Sequence, residues 1–378
     1  MIGRAWVELD VEAVRANVRT IRRAAGAEVL AVVKANGYGH GAVDVARAAL
    51  EAGAVGLCVA TADEVVALRA AGLAAPLQLL GAALDDELEA AAAARASLTL
   101  TEPEGLGRLR ALARRLGRRL DVHVKVDVGM HRVGVAPEAA PALARAVARD
   151  PDLRLAGLMT HLPAPRDVER SRAQVGAFAA VARRLARAGV RPPQVHAAAS
   201  AALFKVPEAR FSHVRPGIAL LGLDPEGAIA ATGAALAPAL ALRARVVSTS
   251  QVAAGEAVGY GARWTAARPT RLALLGLGYA DGLPHGLTGK PAHALLQGRR
   301  CPLVATVMMD GVLVDVTDLE RPPVRGDVAT LFGRDGAAVL PLEEVAARAG
   351  LIPYAVSCGL GARLGRVVFD RAATARAA

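Results

Sequence analysis

The chain has 378 residues, of which 53% are hydrophobic, 21% charged and 3% aromatic. This balance excludes a largely disordered chain, and the length exceeds what one hydrophobic core usually supports, so we expect two globular domains. The net charge of +11 is dispersed, and its densest patch, Arg114-Arg115-Leu-Gly-Arg118-Arg119, has no aromatic residue that could stack on a base, so we predict no nucleic-acid partner.

The first ten residues lack the apolar stretch of a signal peptide, and no uncharged segment is long enough to cross a bilayer. The three cysteines, at positions 58, 301 and 358, are odd in number, far apart and in apolar contexts. That pattern favours reduced, buried thiols over a disulfide framework or a zinc site. We therefore expect a cytoplasmic protein with no bound metal and no membrane contact.

Eight apolar runs alternate with helical stretches rich in alanine and arginine. They cover residues 29–34, 56–60, 76–81, 97–100, 120–127, 153–161, 194–199 and 212–216. Alternation at this spacing indicates repeated β-α units, and eight of them are typical of a closed (β/α)8 barrel of the TIM type. We assign residues 1–234 to this α/β domain, with a doubly wound open sheet as the alternative.

The pattern changes near residue 235. Apolar runs at 240–249, 271–277, 302–307, 312–316 and 366–369 are separated by Gly, Pro and Asp. Their spacing is too short for crossover helices, which predicts a mostly-β C-terminal domain over residues 235–378. The opening segment Ala5-Trp-Val-Glu-Leu9 is a candidate strand of the same domain.

Lys34 ends the first apolar run and precedes a polar loop with glycine at 37, 39 and 41. An ammonium at the end of a buried strand is costly unless it is paired or used covalently. Lysine is also rare here, since the chain has four lysines among 46 basic residues. Lys34 is therefore a candidate for chemistry, and the alternative is a side chain that reaches solvent from the strand end.

Polar residues follow the ends of several other runs. Lys125 and the loop to Arg132 close run five, His161 closes run six, Ser200 follows run seven, and Arg215-Pro-Gly-Ile218 follows run eight. In a (β/α)8 barrel, catalytic groups lie at the carboxyl ends of the strands, and phosphate sites commonly follow the last two strands. The sequence therefore predicts a site at this end of the barrel.

Five motifs together match one family in order and spacing. They are Val32-Val-Lys-Ala-Asn-Gly-Tyr-Gly-His40, Lys125-Val-Asp-Val-Gly-Met-His-Arg132, Arg215-Pro-Gly-Ile218, Val258-Gly-Tyr-Gly261 and Gly278-Tyr-Ala-Asp-Gly282. Through both domains the chain resembles the alanine racemase family. The resemblance implies a pyridoxal 5'-phosphate (PLP) enzyme that works as a head-to-tail homodimer with shared active sites. It also implies a product, D-alanine, that serves peptidoglycan synthesis.

Racemisation removes the α-hydrogen from one face of the amino acid and returns a hydrogen to the other, which two opposed bases achieve without crossing the plane. By the resemblance, Lys34 holds PLP as a Schiff base and acts on the D side, and the partner subunit's Tyr260 acts on the L side. Lysine and tyrosine titrate near pH ~10 in model peptides, so both roles benefit from nearby cations. The resemblance assigns His161 and Arg215 to this tuning, with His196 supporting Arg215.

The resemblance also implies the remaining contacts. It assigns the contacts with the phosphate group of PLP to Tyr38, Ser200, Tyr354 and the amides of Gly217 and Ile218. Substrate and ring contacts fall to Arg132 with Lys125 behind it, to Tyr279, and to the backbone of the partner subunit's Met309. Arg215 meets the pyridine nitrogen, where an arginine discourages the proton that a carboxylate would hold there.

The sequence leaves alternatives for the state of Lys125 and for the function of the protein. In some members of the family the lysine at the position of Lys125 is carbamylated, and an ordinary strand-end lysine is the alternative here. A racemase for serine or another small amino acid would use the same motifs. A PLP-binding homeostasis protein without turnover shares the barrel and its lysine, but the β domain and Tyr260 argue against that function. A barrel decarboxylase is more distant, because it would place a carboxylate at the pyridine nitrogen.

Overall fold

The computed structural model describes residues 3–224, 227 and 229–371. The chain divides into two compact units, which we call the barrel unit (residues 13–237) and the β unit (the chain before residue 13 and after residue 237). The first strand, β1 (Ala5–Asp10), belongs to the β unit. Every helix in the described part of the chain is too short or too polar to span a bilayer.

In the described part of the barrel unit, eight strands form one parallel sheet. They are β2 (Glu28–Val32), β3 (Gly56–Val59), β4 (Leu77–Leu79), β5 (Leu98–Leu100), β6 (Leu120–Lys125), β7 (Leu153–Met159), β8 (Gln194–Ala199) and β9 (His213–Arg215). Each coincides with one of the predicted apolar runs, because strands covered on both faces need few polar residues, although β2 begins one residue earlier, at Glu28.

The sheet closes on itself between β4 and β5. Gln78 and Ser97 form a parallel bridge, the Leu79 amide donates to the Ser97 carbonyl at 3.0 Å, and the Ser97 amide donates to the Leu77 carbonyl at 2.8 Å. These bonds join the two ends of the strand order and exclude the open sheet. The predicted (β/α)8 barrel is therefore confirmed.

Helices connect the strands and cover the barrel. They are α1 (Val11–Ala25), α2 (Lys34–Tyr38, a short segment with left-handed backbone), α3 (Ala42–Glu51), α4 (Ala62–Ala70), α5 (Asp85–Ala93), α6 (Gly105–Arg115), α7 (Ala140–Arg149), α8 (Val168–Arg187) and α9 (Ser200–Lys205). Their apolar faces follow the helical period, as in α1, where Val14, Val18 and Ile21 are fully buried. Short 3-10 helices follow at Pro207–Ala209, Ile218–Leu221 and Ala230–Thr232.

The described part of the β unit contains a nine-stranded sheet in the order β18-β17-β14-β15-β16-β13-β10-β1-β19. Its strands, with the small β11-β12 pair, are β10 (Leu240–Val252), β11 (Ala257–Val258), β12 (Trp264–Thr265), β13 (Thr270–Leu275), β14 (His293–Leu296), β15 (Arg299–Val304), β16 (Val312–Asp315), β17 (Val328–Asp335), β18 (Ala338–Leu340) and β19 (Gly365–Phe369). The other elements are α10 (Leu342–Ala349), α11 (Pro353–Cys358) and 3-10 helices at Tyr260–Ala262, Tyr279–Asp281 and His285–Leu287. The predicted mostly-β fold is confirmed, and β1 pairs with β10 and β19.

One expectation about the cysteines is wrong. Cys58 and Cys301 are buried free thiols, but Cys358 is exposed. Cys358 ends the short helix α11, whose buried face carries Val356 and Ser357, so its own side chain points away from the core. The apolar residues next to Cys358 in the sequence do not indicate which way its side chain points.

Candidate active site

Lys34 stands at the start of a left-handed turn. It follows β2 and is partly buried, and the next residues, Ala35, Asn36, Gly37 and Tyr38, have φ of 51°, 52°, 61° and 52°. The left-handed conformation costs roughly 1–2 kcal/mol for each residue with a Cβ, so a run of such residues persists only where its surroundings fix it. Strain of this kind next to a candidate nucleophile indicates a functional constraint.

Tyr38, Ser200 and Gly217 form a cradle of polar groups at the same end of the barrel. Ser200 begins α9, and its Oγ accepts hydrogen bonds from the amides of Gly217 at 3.0 Å and Ala219 at 3.2 Å. A Cβ built on Gly217 would overlap the Tyr38 hydroxyl, so the absence of a side chain there gives the phenol its place. Ile218 begins a 3-10 helix, and its amide has no carbonyl partner within that helix.

Arg215 lies buried in the barrel interior with an imidazole and carbonyl oxygens around it. Its guanidinium contacts His196 Nδ1 at 2.6 Å and donates to the carbonyls of Thr160 at 2.6 Å and Ala197 at 3.3 Å. Burial lowers the pKa of Arg215 to about 10, which leaves it charged at neutral pH. A cation is therefore fixed at the end of β9.

His196 connects Arg215 to a further histidine. Because the guanidinium can only donate, His196 Nδ1 must accept, and its proton then resides on Nε2. His196 Nε2 lies 3.1 Å from His123 Nδ1, so the chain of hydrogen bonds continues to His123. Burial lowers the pKa of His196 well below its usual value and that of His123 to about 3, and both rings are neutral.

Four cations act electrostatically on His161. Burial, and then the charges of Arg215, Lys125, Arg132 and Lys34, lower the pKa of His161 to about 3. These four cations therefore act on one neutral imidazole. Such an arrangement attracts an anionic ligand, and a phosphate or carboxylate group would balance its charge.

Lys125 is the most buried ammonium among these four cations, with 6% of its surface exposed. Burial, and then Arg132 and Arg215, lower the pKa of Lys125 to about 8 against the opposing carboxylate of Asp127. Asp127 in turn shapes the loop that leads to Arg132, since its Oδ1 accepts the amides of Gly129 and Met130, each at 2.8 Å. The loop thus has a fixed backbone ahead of Arg132.

Tyr260 and Met309 are exposed on the β unit, with 73% and 52% of their surfaces accessible. Tyr260 is the first residue of a 3-10 helix, and its two neighbours, Gly259 and Gly261, have φ of 76° and 72°. The Tyr260 carbonyl accepts a hydrogen bond from the Thr306 hydroxyl at 3.0 Å. The aromatic ring of Tyr260 is thereby presented on a constrained turn and not on a regular strand.

Tyr279 and Met309 occupy adjoining segments of the β unit. The Tyr279 amide donates to the Met308 carbonyl at 3.0 Å, and the Ala280 amide donates to the Met309 carbonyl at 3.1 Å. Gly278 lies so close to these carbonyls that a Cβ would overlap them. The backbone of Met309 and the side chain of Tyr279 are consequently held in one local structure.

Arg363 joins the same two segments from a third one. Its guanidinium contacts Asp310 Oδ1 at 2.7 Å and Asp281 Oδ1 at 3.2 Å, and Asp281 is buried. Tyr354 lies in α11 and is partly buried. Sequence reasoning placed no site residue beyond Tyr354, so the contacts of Arg363 are a new observation.

The predicted site residues divide between the two units. The barrel unit carries His196, which lies within β8, and those that follow or end its strands: Lys34, Tyr38, Lys125, Arg132, His161, Ser200, Arg215, Gly217 and Ile218. The β unit carries Tyr260, Tyr279, Met309 and Tyr354. Sequence reasoning missed His123. The signal that could have identified it is a polar side chain in the middle of a largely buried strand, β6.

Family models match both units. The model of the alanine racemase N-terminal domain matches residues 9–225, and that of the C-terminal domain matches residues 239–368. The alanine racemase of Symbiobacterium thermophilum is 42% identical over 364 residues, which cover 96% of each chain. The similarity therefore extends through almost the whole length of both proteins.

Solved structures agree with this result. The alanine racemase of Bacillus anthracis, described with bound L-Ala-P, superposes with a TM-score of 0.89 at 32% identity and covers 98% of this chain and 96% of its own. That of Bartonella henselae, described with covalently bound pyridoxal phosphate, gives 0.85 at 30% identity and covers 97% of this chain and 100% of its own. On sequence and on fold, this chain belongs to the alanine racemase family.

Proposed function

We propose that this chain interconverts L-alanine and D-alanine with PLP held in the barrel unit, Lys34 acting on one face of the substrate and the partner subunit's Tyr260 on the other. The observation that carries this proposal is the gathering of a lysine, the Tyr38–Ser200–Gly217 cradle and a cluster of cations at one end of a closed barrel. The relatives described with covalently bound pyridoxal phosphate and with L-Ala-P support it.

The residues of the cradle fit a phosphate group. Because Ser200 Oγ accepts two amides, its own hydrogen is free to be donated outward, beside the Tyr38 hydroxyl and the Ile218 amide. Hydroxyl and amide donors hold a dianion without burying many full charges. In this arrangement Gly217 contributes through Ser200, and we assign Tyr354 to the same group by family resemblance.

Three further side chains fit the rest of the cofactor. Lys34 would hold its aldehyde carbon, Arg132 its phenolic oxygen and Arg215 its pyridine nitrogen. When bound, PLP withdraws electrons from the α-carbon of an amino acid and makes its hydrogen acidic. Arg215 keeps a permanent positive charge where other PLP enzymes use a carboxylate, which favours return of a proton to the α-carbon over transamination.

The proton transfers are assigned to two groups on opposite faces. Lys34 serves the D side and the partner subunit's Tyr260 the L side, so neither has to cross the plane of the substrate. Arg215, with His196 behind it, supports the tyrosine as a cation, and the neutral imidazole of His161 supports it as a hydrogen-bonding group. Because Tyr279 and Met309 lie in adjoining segments of the same β unit, both are assigned to the partner subunit. There they confine the substrate side chain, which favours a methyl group but discriminates weakly against a hydroxyl.

Shared active sites require a homodimer. The exposure of Tyr260 and Met309 on the β unit supports their use by another subunit, because large apolar groups at the surface often mark contact regions. We further propose that the dimer works in the cytoplasm and supplies D-alanine for peptidoglycan.

Hydrogen exchange in D2O tests this function. The purified protein with PLP is mixed separately with L-alanine and D-alanine, and chirality and α-deuterium are followed in the wild type and in Tyr260→Phe. The wild type should place deuterium in the inverted product. Tyr260→Phe should lose inversion yet still exchange the α-hydrogen of D-alanine through Lys34.

Three results would argue against this assignment. Bound cofactor without exchange in the wild type would favour the homeostasis protein. Faster inversion of serine than of alanine would favour a serine racemase. Undiminished inversion by Tyr260→Phe would remove the two-base assignment.

A further inference from the structure

We propose that Glu64 is a positioning residue for Lys34: its carboxylate holds the left-handed turn that follows the lysine and so directs both the Lys34 amine and the Tyr38 hydroxyl. This inference rests on the proposed function, because it concerns the groups assigned to PLP. Sequence reasoning singled out the loop after Lys34, but neither Glu64 nor the left-handed conformation of the loop. The supporting contacts all lie within the barrel unit.

The turn needs support from outside itself. Ala35, Asn36 and Tyr38 all have positive φ, and the glycine at 37 can relieve the strain at one position alone. Local bonds contribute: the Gly41 amide donates to the Asn36 carbonyl at 2.8 Å, and the Ala42 amide donates to Asn36 Oδ1 at 3.0 Å. The Gly37 amide also donates to the Val33 carbonyl at 2.9 Å, across Lys34, whereas the Ala35 amide, directly after Lys34, takes its partner from outside the turn.

Glu64 supplies that partner from the neighbouring β-α unit. Its Oε1 accepts the amide of Ala35, and its Oε2 accepts the amides of Ala60 at 2.8 Å and Thr61 at 3.3 Å. Thr61 completes a capping box, since its hydroxyl accepts the Glu64 amide at 3.4 Å. Both carboxylate oxygens are thus occupied, and one of them reaches beyond the helix cap.

The Ala35 amide belongs to the peptide bond that joins it to Lys34, so its hydrogen bond fixes the peptide plane immediately after the lysine. At the other end of the turn, Tyr38 lies against Gly217, whose amide donates to Ser200 Oγ. One carboxylate therefore stabilises the backbone that carries the covalent attachment point and a phosphate donor. Without it, Ala35 and Asn36 are expected to relax toward right-handed conformations.

Helix capping alone is the competing explanation, and the chain contains a matched control for it. Glu87 caps α5 in the next β-α unit, where its Oε2 accepts the Leu84 amide at 3.0 Å. Glu87 thus performs the capping function at a distance from the turn in sequence. Glu64→Ala loses the capping bonds to the Ala60 and Thr61 amides and Glu87→Ala loses the one to the Leu84 amide, and the contact to Ala35 is lost in the first variant alone.

The test compares the PLP dissociation constant, the absorption band of the lysine-bound cofactor across pH, and kcat and KM in wild type, Glu64→Ala and Glu87→Ala. Glu64→Ala should weaken PLP binding about tenfold, as expected for one lost hydrogen bond to a charged acceptor, shift the pH response of the band and lower kcat more than it changes KM. Glu87→Ala should leave all of these near wild type. Adding Ala35→Gly to Glu64→Ala should recover part of the loss, because glycine adopts the left-handed conformation freely.

Equal PLP binding and equal spectra in the two alanine variants would overturn the proposal and leave Glu64 as a helix cap. If Glu64→Ala does not fold, Glu64→Gln decides. Its single carbonyl oxygen cannot accept at both places, so an unchanged spectrum and affinity in that variant would also overturn the proposal. A wild type that neither binds PLP nor racemises alanine would overturn the proposed function itself, and with it this inference.

Discussion

His123 Nδ1 lies 3.1 Å from His196 Nε2 in the interior of the barrel, and this contact extends the hydrogen-bond chain of Arg215 by one residue. Gly157 makes room for the contact, since a Cβ at that position would overlap the His123 ring. The two rings meet edge to face with centroids 5.2 Å apart. His196 is thus oriented from both of its nitrogens.

Replacing His123 should weaken both stability and activity. His123→Leu leaves the buried Nε2–H of His196 without its acceptor, which costs roughly 1–3 kcal/mol of unfolding free energy. Because Arg215 then loses an oriented partner, kcat/KM for alanine should also fall. Urea unfolding and racemisation assays measure the two effects. His213→Leu is the control, and equal losses in both variants would contradict the assignment.

Stability should decrease on acidification below pH ~6.5, where histidines of the unfolded chain begin to bind protons. In the folded protein the pKa values of His123 and His161 are about 3, so the unfolded state binds more protons between these limits. Across this window each histidine changes the free energy of unfolding by up to about 1.36 kcal/mol per pH unit. Its stabilising contribution is complete above the window and is lost toward the lower end. Urea midpoints at several pH values check this, and His123→Leu should reduce the slope by about one proton. A slope unchanged in that variant would argue against the low pKa.

Lys125 is expected to react with carbon dioxide. Its pKa of about 8 leaves a substantial neutral fraction near physiological pH, and the positive charges of Arg132, Arg215 and Lys34, opposed by the carboxylate of Asp127, would stabilise an anionic carbamate. Carbon-13 NMR after exposure to labelled bicarbonate should reveal one carbamate, absent from Lys125→Met. Lys205→Met should retain the signal. Absence of the signal from the wild type would leave Lys125 an unmodified amine.

Loss of Arg363 should affect substrate binding more than turnover. Arg363→Met leaves the buried carboxylate of Asp281 without its cation and releases Asp310 beside Met309, so the two segments can separate. We expect KM for alanine to rise about three- to tenfold with a smaller change in kcat, since an exposed bridge alone would contribute ~1 kcal/mol or less. Arg268→Met, which removes the exposed bridge to Asp318, is the control and should change neither constant.

Mixing two inactive variants tests whether active sites are shared. If Tyr260 acts in the partner's site, a heterodimer of Lys34→Ala and Tyr260→Phe chains contains one site with both groups intact. After unfolding and refolding together in equal amounts, the mixture should regain about a quarter of the wild-type activity by random pairing. Activity no greater than that of the separate variants would place both groups in one chain.

The strands were predictable because a barrel buries them on both faces, and the positions of Lys34, His161 and Arg215 followed from the strand ends. Contacts between residues far apart in the sequence were not predictable. Asn36 and Gly37 tolerate a left-handed conformation, but nothing in the sequence indicates that Ala35 and Tyr38 adopt it as well, and the contact with Glu64 is set by the neighbouring β-α unit.

The same reason accounts for the other omissions. A lone histidine in a strand, such as His123, is indistinguishable in sequence from any satisfied core residue. Gly217 reads as part of a turn, and its contact with Tyr38 emerges after the barrel brings β2 and β9 together. Cys358 was misjudged because apolar neighbours in sequence do not determine which face of a short helix is covered.

The bridge between Gln78 and Ser97, where β4 meets β5, is the place where we expect the barrel sheet to open first. β4 and β5 meet there in a single bridge, whereas β2 and β9 lie at the middle of the strand order and are tied further by the bond from the Val32 amide to the Pro216 carbonyl at 2.9 Å. Fluctuations open the least paired segments first. The ring can therefore loosen on one side while the strands next to Lys34 and Arg215 keep their spacing, so that thermal motion is greatest away from these two residues.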